Sequence, residues 1–200
     1  MDLSAVELRV LGCLIEKQRT TPDVYPLSLN SLRSACNQST NRDPVVSYDE
    51  PMIRAALNEL SRRGWVRLAS GPGSRAVKYR HLLDDAVGLS DAEISLLAVL
   101  MLRGPQTPGE LKQRSERLHP VASLAEVEQT VSELIERELA ERLPRRPGQK
   151  EERYAHRLGA ESDDREAAPE PYAPAAPGLE ERVARLEAEV RELRERLDAR

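Results

Sequence analysis

The sequence predicts a mainly α fold with small β-hairpins, an α+β class, in which one folding unit occurs twice. Three observations lead there. The 200 residues include one Trp, five Tyr and no Phe, so the core must be filled by Leu, Val, Ile and Ala, which favours helices. The stretch "LSAVELRVLGCLIEK" from Leu3 is answered by "LSDAEISLLAVLMLRG" from Leu89, each with Leu-Ser, a Glu at the fifth place and an apolar stripe at helical spacing. Further on, "LNELSRRGWVRL" from Leu57 parallels "VSELIERELAERL" from Val131, and "YRHLL" from Tyr79 parallels "YAHRL" from Tyr154.

In the first unit a helix is expected near Ser4 to Lys17, with Ser4 as N-cap and Leu3, Val6, Val10 and Cys13 on its inner face. "TTPDVYP" ends it. A second helix, near Ser28 to Asn37, turns Leu29, Leu32 and Cys36 inward. The polar segment "NQSTNRDPVV", Asn37 to Val46, cannot be mainly helical, because the residue before Pro44 is pushed out of the α region. Ser47, at capping-box spacing from Glu50, and Asp49, directly before Glu50-Pro51, compete to cap a third helix near Glu50 to Arg63. "WVRLA" and "AVKYRH" then flank the turn "SGPGSR": Val66 and Leu68 oppose Arg67, and Val77 and Tyr79 oppose Lys78 and Arg80. That alternation is a hairpin.

The second unit repeats the order, with helices near Asp91 to Leu102, Pro108 to Arg117 and Leu124 to Glu138, and strands in "AERLP" and "ERYAHRL". Three helices closed by a hairpin describe a winged helix-turn-helix. Two such domains are expected, at residues 1–83 and 84–159, joined by a short polar linker at Asp84 to Gly88. Residues 160–178, rich in Pro, Ala and acid, are expected to form a flexible linker. In residues 179–200, Leu179, Val183, Leu186, Val190, Leu193 and Leu197 recur at steps of four and three, the a/d seam of a short coiled-coil helix. So short a seam is marginal alone; it reads as a dimerisation element or, alternatively, as a solvated amphipathic helix.

No apolar run approaches the roughly 18 residues of a membrane span, and "MDLSAVELRV" lacks the pattern of a secretion signal. A cytoplasmic protein is expected. Cys13 and Cys36 sit at apolar helix positions and read as buried reduced thiols rather than a redox pair. The net charge of −4 is unevenly spread. Residues 1–83 hold 12 basic and 8 acidic side chains, residues 84–160 hold 11 and 14, and residues 161–200 hold 7 and 12.

The stretch "LSAVELRVLGCLIEKQRTTPDVYPLSLNSLRSACNQSTNRDPV", above all "EKQRTTPDVYPLSLNSL" and "NQSTNRDP", resembles the YceH-like bacterial proteins, a family of uncharacterised function, over about residues 3–159. Asn37, Gln38, Asn41, Arg42 and Pro44 match the family motif. The resemblance implies the tandem winged-helix fold, a homodimer and, by analogy, DNA binding; it supplies no catalytic residues.

Read from its own residues, the basic first unit is the one suited to a duplex, because phosphate neutralisation supplies much of DNA affinity. The candidate nucleic-acid-binding residues are Asn41, Arg42, Arg54, Asn58, Arg62, Arg75, Lys78 and Arg80. Asn41 and Arg42 carry two readings: contact with phosphate or a base edge, or a self-bonding turn in which Arg42 pairs with Asp43 or a carboxylate at the core edge. In the second unit Leu124, Val127, Val131, Leu134 and Ile135 point inward, leaving Glu126, Glu128, Glu133 and Glu136 outside to repel phosphate and suit a protein contact. The alternative to a DNA-binding regulator is a non-catalytic scaffold that binds protein partners. No enzyme, cofactor or metal is expected: Ser39 has no base nearby, His81 and His156 fall at equivalent strand ends without ligand spacing, and "SGPGSR" lacks the Gly-Lys-Ser/Thr ending of a phosphate loop.

Overall fold

The computed structural model describes residues 2–69, 77–145 and 151–159. Arg75, the linker 160–178 and the heptad positions Leu179, Val183, Leu186, Val190, Leu193 and Leu197 lie outside the described residues.

The described chain is of the α+β class, with α-helices and small antiparallel sheets. Its elements are α1 (Ala5–Thr20), β1 (Leu27–Ser28), α2 (Leu29–Cys36), α3 (Glu50–Arg62), β2 (Val66–Leu68), β3 (Lys78–His81), α4 (Leu83–Val87), α5 (Asp91–Arg103), α6 (Pro108–Ser115), α7 (Leu124–Glu136), β4 (Ala140–Leu143) and β5 (Arg153–His156). The repeated Leu-Ser…Glu motif encodes a capping box. Ser4 Oγ accepts from the Glu7 amide at 3.3 Å while the Glu7 carboxylate accepts from the Ser4 amide at 2.7 Å. Ser90 and Glu93 do the same at the start of α5, at 3.2 and 2.8 Å. Each box satisfies two amides that a helix start leaves without partners. At α3 the cap is Asp49, whose carboxylate accepts from the Met52 amide at 2.9 Å, rather than Ser47.

The two halves correspond down to strand register. Val66 pairs with His81, and Ala140 with His156. Leu27, just ahead of α2, pairs with Tyr79; Gln106, just ahead of α6, bridges to Tyr154. Helix α3 ends through Gly64 at φ 76° with the Trp65 amide on the Leu60 carbonyl, 2.9 Å, and α7 ends through Glu138 at φ 57° with the Leu139 amide on the Leu134 carbonyl, also 2.9 Å. The third strand, β1, is too short to show as an alternating pattern, which is why only a hairpin is predicted from the sequence. The predicted linker is in part a helix, α4, stopped by Gly88 at φ 73°. Leu124 is a further correction: at the first turn of α7 it lies beyond the core edge and is 49% exposed, whereas Thr130 takes an inward position.

Both halves share one core. Helix α1 is buried from Arg9 to Ile15 without a break, and α5 from Glu93 to Leu102, because α1 packs on α2 and α3 with one side and on α5 with the other. A helix covered all round cannot show a single stripe. At the crossing, a Cβ on Gly12 would meet Leu102 Cγ at 2.9 Å and Met101 Cβ at 3.4 Å, so only glycine permits this approach. Arg19 on α1 reaches Asp91 on α5 at 2.5 Å, and its hydrogen bond and charge hold the Asp91 carboxyl below its usual range. The Leu3 amide donates to the Leu158 carbonyl at 2.9 Å, tying the residues ahead of α1 to those just after β5. Cys13 and Cys36 are buried free thiols in contact with each other.

His81 closes β3 beneath this layer. It is 1% exposed; its Nε2 is hydrogen-bonded to the side-chain Oε1 of Gln18 and its amide donates to the Tyr25 hydroxyl at 2.8 Å. Burial lowers the His81 pKa to about 4, with Arg19 and Arg80 adding to the effect and Asp84, 3.5 Å away, opposing it.

Two outcomes are expected. Gly12→Val forces α1 and α5 apart and lowers stability by about 2 kcal/mol or more, read as the shift in a urea unfolding midpoint. His81 stays neutral in the folded chain where the unfolded chain, with a His pKa near 6.5, takes up a proton. Its contribution is therefore intact above about pH 6.5 and lost as pH falls towards 4, by about 3 kcal/mol in all. The difference in stability between the parent protein and His81→Gln, followed across that window, checks it.

Candidate nucleic-acid interface

The β2–β3 hairpin presents two unlike faces. Val66, Tyr79 and His81 are buried on the inner face. On the outer face Arg67 and Arg80 are direct register partners, and Lys78 lies two residues from Arg80 on the same side. Like charges set opposite one another across a strand pair destabilise it. Neither Arg67 nor Arg80 is in an ion pair among the described residues. The matching hairpin of the second half is built differently: Arg142 and Arg145 both reach Glu152, at 3.3 and 3.5 Å, and Arg153 reaches Glu110 at 3.5 Å.

Helix α3 buries Ile53, Ala56, Leu57 and Leu60, the four residues its periodicity predicts, and exposes Met52, Arg54, Ala55, Asn58 and Arg62. Its cations are shared with acids of the same helix. Arg54 bonds Glu50 at 2.6 Å and Arg62 bonds Glu59 at 2.9 Å. Such exposed pairs contribute little to stability, about 0.3–0.5 kcal/mol, and leave both guanidinium groups open to solvent. Arg63 instead reaches the Asp2 carbonyl and lies 5.9 Å from the centre of the Trp65 ring. On α7, by contrast, Glu126, Glu128, Glu133 and Glu136 are exposed.

The polar loop after α2 is held by amides and by two arginines. The Asn37 side chain donates to the Tyr48 carbonyl and accepts from the Tyr48 amide, both at 2.8 Å, in the manner of a strand pair. Arg9 donates to the Cys36 carbonyl at 3.1 Å and the Pro44 carbonyl at 2.7 Å. Arg42 is the centre of the loop. Its guanidinium forks onto both Glu16 oxygens at 3.1 and 2.5 Å and donates to the carbonyls of Ala35 and Asn41 and to Gln38. Burial disfavours the charge on Arg42, yet the Glu16 hydrogen bonds and charge outweigh it and hold the pKa above its ordinary value. The Asp43 amide donates to the Leu102 carbonyl at 2.9 Å, which docks the loop on the end of α5. The phosphate-contact reading of Arg42 is therefore corrected: its side chain is 0% exposed and spends its donors inside the protein. The core-edge carboxylate of the alternative reading is Glu16.

The family model described as "Protein of unknown function, DUF480" matches residues 3–149. A UPF0502 protein of Geobacter sulfurreducens is 50% identical over 194 residues, which is 94% of this chain and 88% of the relative. UPF0502 protein YceH of Escherichia fergusonii is 44% identical over 205 residues, 99% of this chain and 95% of the relative. The chain belongs to the DUF480 family.

In this DUF480 chain the predicted site residues separate into groups. Arg54, Asn58 and Arg62 share the outer side of α3, and Lys78 and Arg80 share the outer hairpin face with Arg67. Asn41, at φ 59°, accepts a hydrogen bond from Arg103 of α5, so it and Arg42 belong to the joint between the halves. Arg75 lies outside the described residues. No helix among the described residues is long and apolar enough to cross a membrane.

Arg42→Leu is expected to lower stability by about 3 kcal/mol, because it strands the largely buried Glu16 carboxylate and frees the loop. Chemical denaturation measures the loss. Duplex affinity, compared at a temperature where both proteins are folded, is expected to stay the same.

Proposed function

We propose that each three-helix-plus-hairpin half is a winged helix-turn-helix and that the protein is a DNA-binding protein, a transcriptional regulator in its most direct use. On this reading α3 and the wing of the first half meet duplex DNA. The carrying observation is the outer face of the first hairpin, where Arg67 and Arg80 stand opposite each other and neither is in an ion pair among the described residues. Cations held together at a cost in folding are suited to an external polyanion, and a phosphate backbone supplies one at regular spacing. Arg54, Arg62 and Asn58 on α3 add donors that their neighbouring acids do not block.

The second half is assigned a different task. Its α7 carries an acidic outer face, and among the described residues its hairpin cations Arg142, Arg145 and Arg153 are already matched by Glu152 and Glu110. Together with the heptad sequence at 179–200, it is proposed to form the dimer contact that places two first halves on one duplex. A non-catalytic scaffold is the second reading, favoured by apolar side chains left in the open: Leu68 on β2, 61% exposed, and Leu124 on α7, 49% exposed.

Fluorescence anisotropy with a labelled random-sequence duplex tests the proposal. The parent protein is expected to bind at 50 mM salt with a steep loss by about 200 mM. The double variant Arg67→Ala, Arg80→Ala is expected to lose about tenfold or more in affinity and about two units of the log–log salt slope. Equal affinity for the two proteins at low salt removes this face from the interface, and absence of any duplex binding leaves the scaffold reading standing.

A further inference from the structure

A cavity of about 470 Å³ opens where the two halves meet, between α1, the loop after α2, the end of α5, and α6 with the turn that follows it. Its size falls in the range of small-molecule sites, about 300–1,000 Å³. Its walls are cationic: Lys17, Arg103, Arg114 and Arg117 line it, against the single carboxylate of Glu16. That carboxylate is already spent on the Arg42 fork and is also 3.7 Å from Lys17. Arg114 shares Glu110 at 3.3 Å. Arg103 donates to the neutral Asn41 side chain, and neither Arg103 nor Arg117 is in an ion pair among the described residues.

Ordinary helix-end electrostatics account for part of this. Lys17 and Arg103 lie in the last turns of α1 and α5, where a cation gains about 0.3–1 kcal/mol. Arg114 likewise lies in the last turn of α6, and Arg117 follows in the turn just beyond it. Helix-end electrostatics do not explain why the ends of α5 and α6 bring three guanidinium groups to line one depression. Burial, and then the charges of Arg114 and Arg42, lower the pKa of Arg103 against the pull of Glu16 and Asp43. The positive field in the cavity is thus not neutralised from within.

We propose that this cavity binds a phosphorylated small molecule of about nucleotide size, with Arg103, Arg114 and Arg117 gripping its phosphate oxygens. A ligand with at least two negative charges matches three guanidinium groups better than one carboxylate does, and the planar fork of arginine fits phosphate oxygens in pairs. The amides and hydroxyls of Gln38, Gln113 and Thr40 supply neutral donors and acceptors for the rest of the molecule. Asn41, whose oxygen now occupies Arg103, is the group the phosphate displaces. The site uses none of the hairpin cations, so it stands or falls apart from the DNA reading.

Isothermal titration calorimetry on the full chain decides it, with ATP, ADP, pyrophosphate and inorganic phosphate as probes at low salt and sodium sulfate at matched ionic strength as control. The expected result is saturable one-to-one binding of at least one nucleotide or pyrophosphate probe, beyond what sulfate gives. Arg117→Gln and Arg103→Gln, each checked for folding by circular dichroism, are expected to weaken it about tenfold or more. Arg67→Gln with Arg80→Gln is expected to leave it unchanged. Arg117 is exposed and outside any helix, so its variant tests the site even if Arg103→Gln unfolds the chain. No probe binding tighter than about 1 mM, binding equal to sulfate, or binding lost in the hairpin variant and kept in Arg117→Gln overturns the proposal.

Discussion

The approach of α1 to α5 at Gly12 governs this molecule. A single missing Cβ lets two helices, one from each half, come close enough for Leu102 and Met101 to fill the space. Because of that contact α1 has no solvent side between Arg9 and Ile15, and neither does α5 between Glu93 and Leu102. Burying two helices on all sides is what the fold gains from joining its two corresponding halves. Each half alone would leave its first helix open along the stretch that the other now covers.

The loop after α2 docks beside that contact, on the Leu102 carbonyl. There the carbonyls of Ala35, Cys36, Asn41 and Pro44 lie near the core, and groups so placed must find partners. Arg42 and Arg9 supply them, with six donor contacts to carbonyls, Gln38 and Glu16 between them apart from the second Glu16 oxygen. A buried arginine is tolerated because its charge is met by Glu16 and its remaining N–H groups by the loop. The polar composition of that loop is thus a structural requirement, and only Thr40 and Asn41 of its tip face the cavity beside it, with Gln38 at its base.

What could be read from the sequence follows from how local each cause is. The capping boxes at Ser4 and Ser90 are set by residues three apart, and the inward set of α3 by a period of 3.6, so both are visible in a short window. The duplication is visible because the caps and strand ends recur in order. The burial of Arg42 depends on Glu16, 26 residues earlier, and an arginine in a polar loop has the same composition whether it points in or out. The all-round burial of α1 depends on a helix near residue 100, and the cavity brings Lys17 at the end of α1 and Arg103 at the end of α5 to Arg114 and Arg117 at the end of α6, three sites far apart in the chain. Leu124 has the right helical phase but sits where the core has already ended.

The hydrogen bond from Leu3 to Leu158 has a kinetic meaning. It joins points separated by almost the whole folded body, so its loop-closure entropy is among the largest any contact here must overcome. Contacts of that kind reward the chain only after nearer ones have shortened the path between them. By that argument the clasp is expected to close late, after α1 has packed on α5, and it joins the two halves at their far ends.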